Sequence, residues 1–295
     1  MSETVGFIGL GLMGEGFTRR LIDTGRRVVG YDIDARRTEA AAGWGVEAAA
    51  SPADVAARAD TVLVCVLNTA AVADVIVGDN GIAAANGGLE GKVLVDHSTT
   101  EIAATLDLAA VLAERTGMAF VDAPVSGGPD AARAGTLAIM AGGDLHAISR
   151  IDPLMTDLGT LTHMGPVSAG QATKLVNQTI VLTNYCVLAE ALRLAEAHGV
   201  DTAKIPQALA TGYAGSNLLP VAFERMVARD FVPRGYARQV LKDLEMVNED
   251  ARHHHVAMPM VAQALTLYRM MIAAGKADLD GTAIVTQLPE ILPGH

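Results

Sequence analysis

The chain has 295 residues, 51% of them hydrophobic, and carries a formal net charge of -11 at pH 7. That length allows two ordinary domains with apolar cores. The acidic balance, with no Lys/Arg cluster beyond short pairs such as Arg19-Arg20 and Arg36-Arg37, argues against a nucleic-acid partner. Cys65 and Cys186 both sit inside apolar runs, so they read as small core residues and support neither a disulfide framework nor a cysteine metal site. The N-terminal MSETVGFIG lacks a charged and an apolar leader region, and the apolar run Val62 to Leu67 is too short to span a bilayer. The expectation is a soluble, cytoplasmic protein without a membrane partner.

In chain order, Val5 to Ile8 reads as a strand, followed by the glycine turn Gly9-Leu10-Gly11-Leu12-Met13-Gly14 and a helix through Leu21. In such a GxGxxG turn Gly9 permits the tight bend, Gly11 lets a pyrophosphate approach the backbone and Gly14 allows helix to pack on strand. Arg27 to Tyr31 reads as the second strand. Asp32 stands at its end, 18 residues after Gly14, where a carboxylate can hold the adenosine ribose hydroxyls. Strand, glycines, helix, strand and acid in this order predict a dinucleotide site.

Ser51-Pro52-Ala53-Asp54 reads as a capped helix start ahead of a strand over Thr61 to Val66, whose unbroken apolar run predicts burial on both faces of a parallel sheet. Leu67, Asn68 and Thr69 follow that strand, and His97-Ser98-Thr99 follow another over Val93 to Asp96. Short polar residues beyond strand carboxyl ends are placed to line a cofactor crevice, although a helix cap explains Thr69 and Thr100 as well. A strand at Phe120 to Asp122 breaks into Ala123-Pro124-Val125-Ser126-Gly127-Gly128. Its freed backbone N–H groups and the Ser126 hydroxyl can receive an anion, and a plain β-turn explains the same residues. Strands at Leu137 to Ala141 and Thr160 to His163, separated by a helix over 144–158, extend the sheet.

From Gly165 the pattern becomes helical, over 168–198, 202–211, 217–229, 236–254, 259–274 and 280–290, with Ser168 as the N-cap of the first helix. The expected organisation is a doubly wound, mostly parallel α/β Rossmann domain at 1–164 and an all-α domain at 165–295. On the long helix Lys174, Asn177 and Gln178 share a face. A cation beside two amides suits a carbonyl or carboxylate oxygen, and a solvated helix edge has the same pattern. Consecutive residues on a helix point apart, so His253-His254-His255 is a poor chelate and no metal site is expected.

GFIGLGLMG, DHSTT, DAPVSGG, GQATKLVNQ and LKDL occur in the order and approximate spacing of the β-hydroxyacid dehydrogenase family, which the chain resembles over nearly its whole length. The resemblance implies reversible NAD(P)-linked oxidation of a short hydroxy acid to its semialdehyde or keto acid, in a homodimer or homotetramer joined through the helical domain. It implies that Lys174 is the catalytic lysine, that Asn177 places the substrate, and that Ser126, Gly127 and Gly128 grip the substrate carboxylate. By the same likeness Thr99 contacts the nicotinamide side and Lys242 reaches the cofactor. Gln178 and the stretch TGYAGSNLL look like the tartronate semialdehyde reductase branch, with 3-hydroxyisobutyrate and other short semialdehyde dehydrogenases as the alternative.

The chain departs from the family pattern at Arg20, where an asparagine is frequent, and at Leu67-Asn68, where leucine-proline is. A noncatalytic NAD(P)-binding protein or an imine reductase on this fold would lack the lysine, so Lys174 counts against both. Asp32 favours NAD, since its charge repels the extra phosphate of NADP, while Arg36 and Arg37 keep NADP possible. Hydride delivery to an aldehyde carbon leaves an alkoxide, and a protonated lysine can stabilise and protonate it. The expected partner is a small carboxylated aldehyde or hydroxy acid.

Overall fold

The computed structural model describes residues 3–85 and 87–290. Met1 and Ser2 of the N-terminal stretch and residues 291–295 of the expected second domain lie outside them. The chain divides into two units, Met1–Lys174 and Leu175–His295.

Among the described residues the first unit builds one sheet from β1 (Thr4–Ile8), β2 (Arg27–Tyr31), β3 (Glu47–Ala48), β4 (Thr61–Val64), β5 (Val93–Asp96), β6 (Ala119–Asp122), β7 (Val125–Ser126), β8 (Leu137–Gly142) and β9 (Gly159–Gly165). Strands β3-β2-β1-β4-β5-β6 are parallel neighbours in that order, so the winding reverses between β1 and β4. That reversal opens a crevice at the strand carboxyl ends, where a dinucleotide sits in a Rossmann fold. β8 pairs antiparallel with β6 and β7 and parallel with β9. Every residue of β4 and β5 is buried, as the unbroken apolar runs predict. Alternate residues feed opposite faces: Phe7, Leu63, Val93 and Val95 enter one core, and Ile8, Val62, Val64 and Leu94 the other.

The crossovers are α1 (Leu12–Asp23), α2 (Ala35–Ala42), α3 (Pro52–Arg58), α4 (Thr69–Val77), α5 (Ile102–Thr116), α6 (Gly128–Ala134) and α7 (Leu145–Leu158). Several start on side-chain caps: Asp34, Ser51, Asn68 and Asp144 each accept a backbone N–H from the first turn of the helix that follows. Arg20 has a clear local role, donating from Nε to the Asp157 carbonyl oxygen at 2.7 Å at the end of α7.

α8 (Ala169–Ala197) begins in the first unit and runs on into the second, which continues with α9 (Ile205–Leu209), α10 (Leu218–Ala228), α11 (Ala237–His253) and α12 (Pro259–Ala273). Two expected helices differ. The segment 202–211 is a 3₁₀ turn at Thr202–Lys204 followed by the short α9, because Pro206 lacks the N–H that would carry one continuous helix through. The segment 280–290 is a 3₁₀ helix at Gly281–Gln287, started by Asp280, which accepts from Thr282 N–H. By length and composition alone α8 is also long and apolar enough to cross a membrane, a property shared by core helices of water-soluble proteins.

Within the second unit, Arg225 and Asp280 form a buried ion pair at 2.9 Å. Asp280 also accepts the N–H groups of Arg234 and Gly235. This node fixes the loop that leads into α11, the helix that carries Lys242 and Asp243.

Candidate active site

The turn between β1 and α1 has the three glycines in three different environments. A methyl group at Gly14 would come within 2.0 Å of the Gly9 carbonyl oxygen, and one at Gly9 within 2.2 Å of the Cys65 carbonyl oxygen. Both contacts are backbone, so neither position tolerates a side chain. At Gly11 a methyl group would meet only the Arg37 guanidinium, at 3.4 Å. Gly11 is thus the one glycine of the motif whose open side faces no backbone, the shape a pyrophosphate cradle requires. Leu10 is buried, Leu12 exposed and Met13 partly buried, all three in the loop and first turn.

Asp32 is buried at the end of β2 and pins this loop. Its Oδ2 accepts Leu10 N–H at 2.7 Å, and its Oδ1 accepts Asp34 N–H at 2.8 Å. Arg37 lies 3.5 Å from Asp32, whereas Arg36 is drawn into a pair with Asp34 at 2.8 Å. A cavity of about 420 Å³ adjoins Asp32, lined by Tyr31, Thr38, Glu39 and Ala48 among others.

Beyond β4, Leu67 is half exposed, while the Asn68 Oδ1 is spent on capping α4 through Ala71 N–H at 2.9 Å. Thr69 Oγ1 accepts Glu101 N–H at 3.1 Å, which ties this loop to the one after β5. In that second loop Thr99 is partly exposed between buried Ser98 and Thr100. Asp96 at the end of β5 accepts Ser98 N–H at 2.9 Å. Burial pushes its carboxyl up to about 7, with Asp122 as a like-charged neighbour adding to the effect. Burial lowers His97 to about 4. The His97 ring stacks on Phe17 with centroids 4.9 Å apart and its Nδ1 pairs with the Ala123 carbonyl at 2.7 Å, so it is a neutral core residue.

The loop after β6 is where the substrate residues meet. Ser126 closes β7, Gly127 has φ +133° and Gly128 has φ +72°, and a methyl group at Gly128 would meet nothing within 4 Å. Lys174 arrives from α8 as a largely buried side chain, and its Nζ donates to the Val125 carbonyl oxygen at 2.7 Å. The ammonium therefore sits one residue from Ser126. Sequence spacing separated these groups by 48 positions; the fold joins them inside the first unit.

α8 starts where expected, with the Ser168 carbonyl oxygen accepting Ala172 N–H at 2.9 Å, but its side-chain cap comes from elsewhere. Ser168 precedes the helix at φ +80°, and the side chain that caps it is Asp122 of β6. The Asp122 carboxylate accepts Ser168 N–H at 2.7 Å and Gln171 N–H at 2.8 Å. Gln171 in turn donates from Nε2 to the Ser98 carbonyl oxygen at 2.8 Å and accepts Thr100 N–H at 3.1 Å. Neither residue was legible as a site residue, since their partners lie 46 to 73 positions away.

In the second unit Asn177 donates to Gln178 Oε1 at 2.8 Å, Gln178 Nε2 donates to Asp243 Oδ2, and Lys242 Nζ lies 3.0 Å from Asp243 Oδ1. Gln178, expected to touch substrate, thus bonds Asn177 through its amide oxygen and Asp243 through its amide nitrogen. Asp243, read only as part of LKDL, was not assigned a role because an acid beside a lysine on a helix has no distinctive sequence signal. Among the described residues no group of three or more His, Cys, Asp or Glu side chains could hold a metal ion.

Residues 4–169 match the NAD binding domain of 6-phosphogluconate dehydrogenase, and residues 168–288 match the NAD-binding domain of NADP-dependent 3-hydroxyisobutyrate dehydrogenase. The chain is 36% identical over 282 residues to a mitochondrial 3-hydroxyisobutyrate dehydrogenase-like protein of Arabidopsis thaliana, an alignment covering 96% of this chain and 86% of that one. It is 35% identical over 292 residues to the 2-hydroxy-3-oxopropionate reductase of Escherichia coli, covering 99% and 98%. The crystal structure of 3-hydroxyisobutyrate dehydrogenase from Salmonella typhimurium superposes with a TM-score of 0.87 at 26% identity, covering 97% of this chain and 100% of that one.

Proposed function

Because the chain belongs to the β-hydroxyacid dehydrogenase family of NAD(P)-dependent oxidoreductases, we propose that it interconverts tartronate semialdehyde (2-hydroxy-3-oxopropionate) and the corresponding hydroxy acid, with NAD(H) preferred. The observation that carries this reading is the 2.7 Å bond from Lys174 Nζ to the Val125 carbonyl oxygen, which holds an ammonium against the Ser126-Gly127-Gly128 loop. The open side of Gly11 and the buried Asp32 fit a dinucleotide, with Gly9 to Gly14 at the pyrophosphate and Asp32 at the ribose. When bound, the nicotinamide supplies the hydride for reduction or takes it in oxidation.

The chain's own residues do the rest. Ser126 and the backbone N–H groups of Gly127 and Gly128 hold the substrate carboxylate. Lys174 donates a hydrogen bond to the aldehyde oxygen, stabilises the negative charge that grows on it, and passes it a proton to complete the alcohol. Neutral Lys174 then regains a proton from solvent; in oxidation it takes the alcohol proton instead. Asn177 leaves the same face of α8 three residues on and orients the substrate oxygens.

Substrate choice within this reading rests on TGYAGSNLL, on Gln178 and on the 35% identity to the Escherichia coli reductase. The second reading, 3-hydroxyisobutyrate dehydrogenase, is favoured by the Arabidopsis thaliana relative at 36%. An absorbance assay of NADH and NADPH oxidation against tartronate, methylmalonate and succinic semialdehydes decides between them. Fastest turnover of methylmalonate semialdehyde would transfer the assignment to the second reading.

A further inference from the structure

The carboxylate of Asp122 and the amide of Gln171 form a buried node that touches three segments at once. Asp122 ends β6, five residues before Gly127, and caps α8 through Ser168 and Gln171 N–H. Gln171 is fully buried, sits on the first turn of α8 and clamps both sides of Thr99 by bonding the Ser98 carbonyl oxygen and Thr100 N–H. Lys174 is three residues further along the same helix. We propose that Asp122 and Gln171 are positioning residues that fix the first turn of α8, and so set Lys174 relative to the Thr99 and Ser126–Gly128 loops. This rests on Lys174 being the proton donor.

The packing leaves α8 little freedom to start anywhere else. A methyl group at Gly170 would come within 2.4 Å of the Met140 carbonyl oxygen and 2.5 Å of the Asp122 carbonyl oxygen. One at Gly142 would come within 2.6 Å of Asp122 Oδ1 and 2.7 Å of the Pro166 carbonyl oxygen. Glycines on both sides let helix backbone press directly onto β6 and β8, so the cap carboxylate is reached by short, fixed bonds. An acid at a helix N-terminus also meets the positive end of the helix dipole, which offsets part of the cost of burying it. Lys174 then extends from a turn whose position is set by two strands. Its bond to Val125 O closes a ring that runs Asp122, Gln171, Lys174, Val125 and back along the chain to Asp122.

The prediction distinguishes this role from general stabilisation. Asp122→Asn keeps the shape but offers one carbonyl oxygen to two N–H groups, and Gln171→Met keeps the volume but frees the Thr99 loop. Both variants, with Lys174→Ala and Ile82→Val as references, the latter at a fully buried residue of the core that holds Ile8 and Val62, are assayed with NADH and tartronate semialdehyde, or methylmalonate semialdehyde if that is turned over faster. Turnover per NADH-binding site is expected to fall about 10- to 100-fold in both, the scale of a misplaced reacting group, with NADH affinity within about threefold of wild type. The limb of the kcat pH profile that Lys174→Ala abolishes should shift in both, and hydrogen exchange across 166–175 should accelerate. Ile82→Val should change none of these.

Turnover per site and exchange at wild-type values in both variants would overturn the inference, as would a loss of turnover with the pH limb unmoved. Near-normal turnover of Lys174→Ala would instead remove the reading on which it rests. If Asp122→Asn does not fold, Gln171→Met decides alone.

Discussion

Asp96 and Asp122 are register partners on the adjacent parallel strands β5 and β6, and both carboxyl groups are buried at the carboxyl end of the sheet. Burial raises the first to about 7 and the second to about 6, against an ordinary 3.8. Each group binds its proton more readily folded than unfolded. The stability they contribute is therefore fully present below about pH 4 and is lost as pH rises through about 6 and 7. His97 opposes them: its lowered value of about 4 makes its contribution present above the ordinary 6.5 and lost as pH falls. Asp96→Asn keeps an oxygen for Ser98 N–H and removes one buried charge. It should gain on the wild type by on the order of a few kcal/mol between pH 5 and pH 8, read as the difference in urea midpoints. A constant difference across that range would show that Asp96 stays ionised throughout.

Cofactor choice turns on Asp32 and Arg37, which lie 3.5 Å apart over the glycine loop. On the proposed reading Asp32 meets the ribose and repels an added phosphate, while Arg37, 3.5 Å from it, is a cation that could accept one. The expected result is kcat/KM for NADH at least ~10-fold above that for NADPH. Arg37→Ala should lower the NADPH value further and leave the NADH value within about threefold. Equal or better efficiency with NADPH contradicts the assignment.

The chain of contacts from Asn177 through Gln178 and Asp243 to Lys242 predicts that Asn177 is held indirectly. Gln178→Met removes both amide bonds at near-constant volume. It should raise KM for the aldehyde about 10-fold, since loss of one or two orienting hydrogen bonds is worth about that much, with NADH affinity kept. Direct contact between Gln178 and substrate would show instead as a change in the ranking of aldehydes.

α8 exposes Val176, Ile180, Val187 and Leu194 at helical spacing, a stripe of large apolar side chains along one face. A homo-oligomer joined through it is the expected state, so light scattering at micromolar concentration should give at least twice the 30.6 kDa chain mass. Val187→Glu with Leu194→Glu should lower that mass. A wild-type monomer would remove the expectation.

The strands and glycine turn of the first unit were legible in the sequence because apolar runs, glycine spacing and a terminal acid are local signals. β2 and β5 have the residues expected, and Ser51 with Pro52 starts α3 as expected. The two-residue strands β3 and β7 went unread because two residues carry no periodicity. Ser168 stands at the N-cap position as expected, but the capping side chain went unread for a related reason: a carboxylate supplied by Asp122 across 46 positions leaves no mark near the helix it starts. Lys174, Ser126 and Gly127 stood out as residues, but their convergence depended on how β6 and α8 meet.

The most direct measurement compares NADH binding by fluorescence with turnover by absorbance for the wild type, Lys174→Ala and Lys174→Arg on the same preparations. Lys174→Ala should bind NADH nearly as the wild type does and lose at least ~100-fold in turnover, the cost of removing a positioned acid and its charge. Lys174→Arg should not restore it, because a guanidinium stays protonated and cannot accept the alcohol proton. Near-normal turnover in Lys174→Ala would contradict the account at its centre.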